Sequence, residues 1–324
     1  MASALVLGGA GFIGSNICRR LAVRGFRVIA VDGLMPKTSG NAANFAEARA
    51  DIEFIANRVE DMKSFPDLLR GHDVVVDAMG WTSHWGGFDD PEYDLALNLS
   101  SHFVVTQAMP LARPRQIVYL ASTHQYGRTA DGPVAETHPL VPLDIQGIHK
   151  TAAEHHYRLA AERNGLSVVS LRFGNTFGPA QRLAGRDVGL IAEMIRKGLA
   201  GETIEVFGEG RQRTVHYAPD LAKIIETVAR LEFTGFVPIN VPGQHVTIAE
   251  LASRIALCTG GTLSQKPLPA DIAAIDTGDA ALDCALFEKY LGPPQLTPLA
   301  EAIGTTIAYV CAELGSAIDV AHPA

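Results

Sequence analysis

The chain has 324 residues, 47% of them hydrophobic and 19% charged, which fits a folded protein with a substantial core. A formal charge of −8 without any lysine/arginine run excludes a nucleic-acid surface, and no apolar stretch approaches the length of a membrane span. Cys18, Cys258, Cys284 and Cys311 stand apart, without CxxC or Cys/His spacing, so neither a metal site nor a disulfide framework is expected.

The N-terminus enters an apolar strand directly, leaving no room for a signal peptide, and with the scattered cysteines this predicts a cytoplasmic protein. That strand, residues 4–7, leads through a glycine turn into an amphipathic helix from Phe12. A second strand, 27–31, follows and ends at Asp32. The glycines fall as Gly8-x-x-Gly11-x-x-Gly14. Gly8 permits the tight turn, Gly11 lets backbone N–H groups approach a pyrophosphate, and Gly14 lets helix and strand pack closely. A diphosphate would then lie at the positive end of the helix. Asp32 falls where a carboxylate accepts both hydroxyls of an adenosine ribose and repels a 2′-phosphate, which favours NAD over NADP. Cofactor contacts are therefore expected at Gly8, Gly11, Phe12, Ile13, Gly14 and Asp32.

Residues 33–45, GLMPKTSGNAANF, read as a loop over the adenosine side. Strand-like runs recur at 52–55, 74–76, 117–120, 168–171 and 239–241, between helix-like stretches. Near-continuous apolar strands alternating with helices predict an α/β fold, a Rossmann-type doubly wound parallel sheet covered on both faces. The sheet should occupy 1–177 and be completed by about 214–242. The excursions at 178–213 and 243–324 should form a smaller substrate-binding lobe over the strand ends.

Several ordered segments then carry a family likeness. They are GGAGFIG (8–14), DVVVDAM (73–79), Asn98 in YDLALNLSSH, VYLASTHQYG (118–127) and the run 147–154 with Lys150. LRFGNTFGP (171–179), FGEGRQRTVHYAPDLA (207–222) and INVPGQHVTIAELA (239–252) continue it. Together they resemble the extended short-chain dehydrogenase/reductase family of NAD-dependent nucleotide-sugar epimerases and dehydratases. The resemblance implies further cofactor contacts at Asp61, Ala78, Met79, Asn98 and Lys150, although Arg58 stands where the family's adenine-bonding Asp is usual. It also implies a nucleoside-diphosphate sugar in the C-terminal lobe, with Asn175, Arg213 and Asp220 on the substrate. A homodimer is implied through the helix carrying Lys150 and the one near 98–109.

The chain departs from the family at its reaction centre. The family carries a Ser/Thr, and a Tyr-x-x-x-Lys pair whose spacing sets both side chains on one helix face. Here Lys150 is present and Gln146 takes the tyrosine position. Glutamine hydrogen-bonds but does not ionise near neutral pH, so it is no base. Ser122 matches the family's Ser/Thr, with Thr123 taking that place if the loop is one residue shorter. Candidates for the missing acid/base are His84 in the loop after the fourth strand, His124 beside Thr123, His149 beside the lysine, and Lys150 itself. His84 would face the nicotinamide or the sugar. The expectation is an NAD-dependent nucleotide-sugar epimerase working through a transient ketone. Dehydration is disfavoured because Thr123 and His124 replace the dehydratase Asp-Glu pair. Decarboxylation, or a silent NAD- and nucleotide-sugar-binding protein, stays open.

Overall fold

The apolar runs form twelve strands: β1 (Ser3–Leu7), β2 (Arg27–Asp32), β3 (Ile52–Ala56), β4 (Val74–Asp77), β5 (Gln116–Ser122), β6 (Val168–Phe173), β7 (Thr176–Phe177), β8 (Thr203–Phe207), β9 (Gln212–Tyr217), β10 (Phe236–Asn240), β11 (Gln244–Thr247) and β12 (Thr262–Lys266). These come from a computed structural model that describes residues 2–48, 50–129, 132–183 and 188–321. The helices are α1 (Phe12–Val23), α2 (Phe65–Arg70), α3 (His84–Asp89), α4 (Pro91–Leu95), α5 (Ser101–Ala112), α6 (Ile145–Asn164), α7 (Leu190–Leu199), α8 (Ala218–Arg230), α9 (Ile248–Thr259), α10 (Ala270–Ala274), α11 (Ala285–Leu291) and α12 (Leu299–Ala321).

Seven strands pair in parallel in the order β10-β6-β5-β4-β1-β2-β3, the expected doubly wound sheet. Alternation along each strand divides the core. Ala4 and Val6 face α1 and α8 with Ile17, Leu21, Ile225 and Val228. Leu5 and Leu7 face α5 and α6 with Val105, Met109, Tyr157 and Ala161. The strand order reverses between β1 and β4, and there the strand ends leave the crevice in which such sheets hold ligands.

A third core joins α7, α9 and α12 to β8 and β9, forming the smaller lobe. Two local expectations need correction. The strand placed at 239–241 begins at Phe236, and its Pro238 is tolerated because β10 is a sheet edge. Part of the loop at 33–45 is helical: a 3₁₀ stretch, Ala42–Ala48, buries Phe45 edge-on against Phe54 at 5.3 Å. Within the stretch 214–242 expected to complete the sheet, β9 belongs to a separate small sheet. It pairs with β7 and β11, so α8 and β10 complete the sheet, while α11 sends Phe287 into the first core.

Candidate active site

The glycine turn links β1 to α1 as its spacing requires. Gly8 has φ +70°, and a Cβ there would lie 2.7 Å from the Ala78 carbonyl oxygen. A Cβ at Gly14 would meet the Gly8 oxygen at 2.1 Å, so only glycine lets the helix sit this close to the turn. α1 starts at Gly11 with no side-chain cap and no acidic residue in its first turn, which leaves its first N–H groups to an anion. Asp32 closes β2. Its Oδ2 accepts from Ala10 N (3.1 Å) and its Oδ1 from Leu34 N (2.8 Å), while burial pushes its pKa up. These groups line a cavity of about 430 Å³ together with Phe12, Ile13, Ala78 and Met79. Arg58 also lines it and pairs with Glu60 at 3.0 Å, whereas Asp61 is exposed and outside the lining. The glycine cradle, the uncapped helix start and the Asp32 carboxylate fit a dinucleotide, with the diphosphate at Gly11–Gly14 and the ribose at Asp32.

Beyond Met79 the cavity is lined by Gly80, Trp81, Thr82, Ser83 and Gly86, and the six residues predicted for the reaction centre lie next to this stretch, outside the lining. Lys150 is buried on α6 and donates to the carbonyl oxygens of Met79 (3.1 Å) and Leu120 (3.2 Å). Burial brings its ammonium pKa down to about 8, against the opposing pull of Asp77 and Asp94. Gln146 donates to the Trp81 carbonyl oxygen at 2.9 Å. Asn98 grips the same residue twice, accepting from Trp81 N and donating to its oxygen, each at 2.9 Å. Asn98 and Gln146 therefore fix the segment after β4, and Asn98 stands behind the cavity wall formed by Leu97 and Ser101. Neither of the nearby tyrosines has moved in to replace the missing one. The Tyr126 hydroxyl is bound to Asn240 and Arg172, the Tyr157 hydroxyl to Asp77, and both rings are buried.

What the fold brings together instead is His84, His124 and Asp144. Asp144 caps α6, its Oδ1 accepting from Gly147 N at 2.6 Å. Its Oδ2 lies 2.6 Å from His84 Nδ1 and 3.5 Å from His124 Nδ1. The two imidazoles stack with centroids 4.2 Å apart. Burial pushes the Asp144 carboxyl up, but contacts with His124 and His84 outweigh it and hold the carboxyl far below its usual range. Burial pushes the His124 imidazole down, and the His84 charge adds to this. Asp144 was not anticipated, although an Asp directly before a helix is a recognisable cap signal. Ser122 caps the 3₁₀ turn Thr123–Tyr126 by accepting from His124 N at 3.1 Å, which seats His124. Thr123 packs against Gly174. His149 turns away from this group and pairs with Asp94 at 2.6 Å.

The residues expected on the substrate are spread wider. Asn175 occupies the turn between β6 and β7 with φ +38°, and its carbonyl oxygen accepts from His216 N. The Asp220 carboxylate is buried and bonded to Lys223 and Thr297, and so fastens the segment before α12. Arg213 sits on β9, with its guanidinium on Asp276 (2.9 Å) and Asp279 (3.2 Å).

Fold and cleft define a dinucleotide-binding α/β protein. Residues 4–241 match the model of the NAD dependent epimerase/dehydratase family, and the chain belongs to that family. It is 31% identical over 223 residues to a putative UDP-glucose 4-epimerase of Methanocaldococcus jannaschii, covering 68% of this chain and 70% of that one. The UDP-glucose 4-epimerase of Thermotoga maritima, solved with UDP-glucose, superposes with a TM-score of 0.85 at 25% identity, covering 96% of this chain and 99% of that one. That of Thermus thermophilus, solved with NAD, gives 0.80 at 25% identity over 95% and 98%. The cofactor is NAD. No helix among the described residues is long and apolar enough to cross a membrane.

Proposed function

We propose that the chain is an NAD-dependent epimerase of a nucleoside-diphosphate sugar, in which His84, oriented by Asp144, is the base that the missing tyrosine would have supplied. The observation that carries this reading is the 2.6 Å contact between His84 Nδ1 and the Asp144 carboxylate at the cap of the helix bearing Gln146 and Lys150. An ionised Asp144 accepts the Nδ1 proton, so Nε2 carries the ring's lone pair and takes the proton of a sugar hydroxyl. Ser83 and Gly86, which flank His84 closely, line the cofactor cavity, and this supports its place beside the reacting carbon. His124 is stacked on His84 and disfavoured as a cation by burial, so it shields the pair without adding a second charge. Lys150 supplies the positive charge that favours an oxyanion, and Gln146 holds the Trp81 backbone in place. NAD, held by Gly8, Gly11, Gly14 and Asp32, would supply reversible hydride transfer at the sugar carbon. Return to the opposite face is epimerisation, favoured over dehydration because no carboxylic acid stands at 123–124.

The test is chromatography with mass detection after the NAD-loaded protein meets a panel of nucleotide sugars in D₂O, for wild type and His84→Gln. A new sugar of unchanged or deuterium-shifted mass is expected. His84→Gln should lower kcat by about 10²–10⁴-fold with NAD affinity unchanged. Loss of water would make the protein a dehydratase, and full activity in His84→Gln would remove His84 from the chemistry.

A homodimer is part of the same proposal. Leu95 on α4, Leu111 on α5 and Ile148 and Leu159 on α6 are large apolar side chains left exposed, and a second copy of this chain would cover them. Sedimentation should give twice the chain mass; a single-chain mass would refute it. The four free cysteines fit a reducing compartment such as the cytoplasm, and fractionation would check that.

A further inference from the structure

Asp144 meets two imidazoles at once, and the three side chains make a donor set that proton abstraction uses only in part. Its Oδ2 lies 2.6 Å from His84 Nδ1 and 3.5 Å from His124 Nδ1, and one ligand atom of each residue falls within 4.8 Å of the other two. Among the described residues no other group of three histidine, cysteine or acidic side chains brings its ligand atoms so close. His124 Nδ1 is buried and has no hydrogen-bond partner among the described residues, so it stands beside the carboxylate without bonding to it. A cation held between the three groups would satisfy that nitrogen.

The contacts behind these side chains are of the kind that orient metal ligands. Asp144 Oδ1 accepts from Gly147 N at 2.6 Å, which fixes the carboxylate at the start of α6. His124 N donates to Ser122 Oγ at 3.1 Å, which fixes the 3₁₀ turn carrying the ring. The rings stack with 23° between their planes, so they must fan apart for one ion to lie on the lone pairs of both. The torsion that does this is soft. The His84 and His124 side chains also keep 24% and 20% of their surface exposed, which leaves them room to turn and gives an ion a way in. A tetrahedral ion with ligands at about 2.0–2.1 Å needs donor separations of about 3.4 Å, inside the span already present.

We propose that His84 Nδ1, His124 Nδ1 and Asp144 Oδ2 form a binding site for one divalent transition-metal ion of the Zn²⁺ class. Two imidazoles and a carboxylate suit Zn²⁺, with a fourth position left to water, and they disfavour Mg²⁺ and Ca²⁺, which take oxygen ligands. The site also has a regulatory sense, which rests on the reading of His84 as the base. A metal on His84 Nδ1 takes the lone pair there, and the proton that Nδ1 shared with Asp144 moves to Nε2. Nε2 then has no lone pair for a sugar hydroxyl, so ion binding and proton abstraction exclude each other. Zinc switches the protein off, and a chelator restores it.

Calorimetry of the NAD-loaded full chain with ZnCl₂, and visible spectroscopy with CoCl₂, test the site without turnover. One ion per chain is expected. His84→Gln, His124→Gln and Asp144→Asn should each weaken it at least about tenfold, and MgCl₂ should not compete. Asp144→Asn keeps an oxygen for the Gly147 N–H and so keeps the helix cap, which provides a readout if a histidine variant does not fold. No saturable ion, or wild-type affinity in any folded variant of the three, would overturn the site. Turnover gives the second readout: saturating Zn²⁺ should lower kcat at least about a hundredfold with NAD affinity unchanged, and EDTA should restore it. A bound ion that leaves turnover intact would overturn His84 as the base while the site stands, so the two readings fail separately.

Discussion

The two ends of the cleft are built in opposite ways. At the cofactor end, Gly8, Gly11, Gly14 and Asp32 come from one βαβ unit, and their roles follow from spacing along the chain. At the reaction end, His84, His124 and the start of α6 with Asp144 and Gln146 come from three separate segments, and their meeting depends on β4, β5 and α6 being packed side by side. The first end tolerates no added atom, because backbone lies against backbone there. The second consists of side chains with ionisable or polar tips. A local motif specifies the cofactor end, whereas the reaction end is a tertiary constellation in which, on the function proposed above, the imidazole–carboxylate pair does the work of the family's phenol.

This contrast can be broken in order of expected effect. Gly14→Val would place a Cβ 2.1 Å from the Gly8 oxygen and should abolish NAD binding as well as lower the melting temperature. His84→Gln should leave NAD binding untouched and lower the melting temperature less, through its lost contact with Asp144. A titration with NADH alongside thermal unfolding checks the pair, and a Gly14→Val protein that still binds NAD would mean the turn is more yielding than its geometry states.

Asp77→Asn comes next. Asp77 is fully buried, holds His102 at 2.6 Å, and opposes the burial that brings Lys150 down to about 8. Removing its negative charge disfavours the ammonium further, so the alkaline limb of activity should move to lower pH by about one unit. The wild-type limb should lie near pH 8, where the ammonium is lost. The stability consequence has a definite sign. Lys150 has a lower pKa folded than its ordinary value of 10.5, so the unfolded chain binds more protons between about 8 and 10.5, and this group makes stability rise with pH across that window. An Asp77→Asn profile superimposable on wild type would detach Asp77 from Lys150.

The smallest effect is expected at Gln146. The Trp81 oxygen keeps its bond from Asn98 when Gln146 is changed, so Gln146→Leu should cost only about 1 kcal/mol and a few-fold in kcat. Gln146→Tyr should not raise turnover if His84 is the base. A tenfold rise would return the role to the helix position and make the imidazole pair incidental.

Some of this was legible in the residues themselves. The order of β and α elements, the glycine turn and Asp32 were all visible because a strand–turn–helix unit is specified by period and by the few residues that fit its turn. Lys150 and the loss of tyrosine at Gln146 were visible because both lie on one helix at fixed spacing. His84 and His124 were visible only as separate candidates. Asp144 between them was not, since a helix-capping Asp carries no mark in sequence that its second oxygen is spent on imidazoles. The hydrogen bonds of Asp220 to Thr297 and of Asn98 to Trp81 were likewise invisible in the sequence, because each spans segments far apart along the chain.

The sequence by itself thus determined the doubly wound sheet, the NAD cradle and the placing of Gln146 and Lys150 on one helix face, because each depends on neighbours within one or two elements. Tertiary structure alone decided that two histidines share one carboxylate and that Arg211 and Arg213 share another. Those carboxylates are 20 to 65 residues away from the groups they hold, and only the tertiary packing of separate segments brings such distant charges within 3.5 Å.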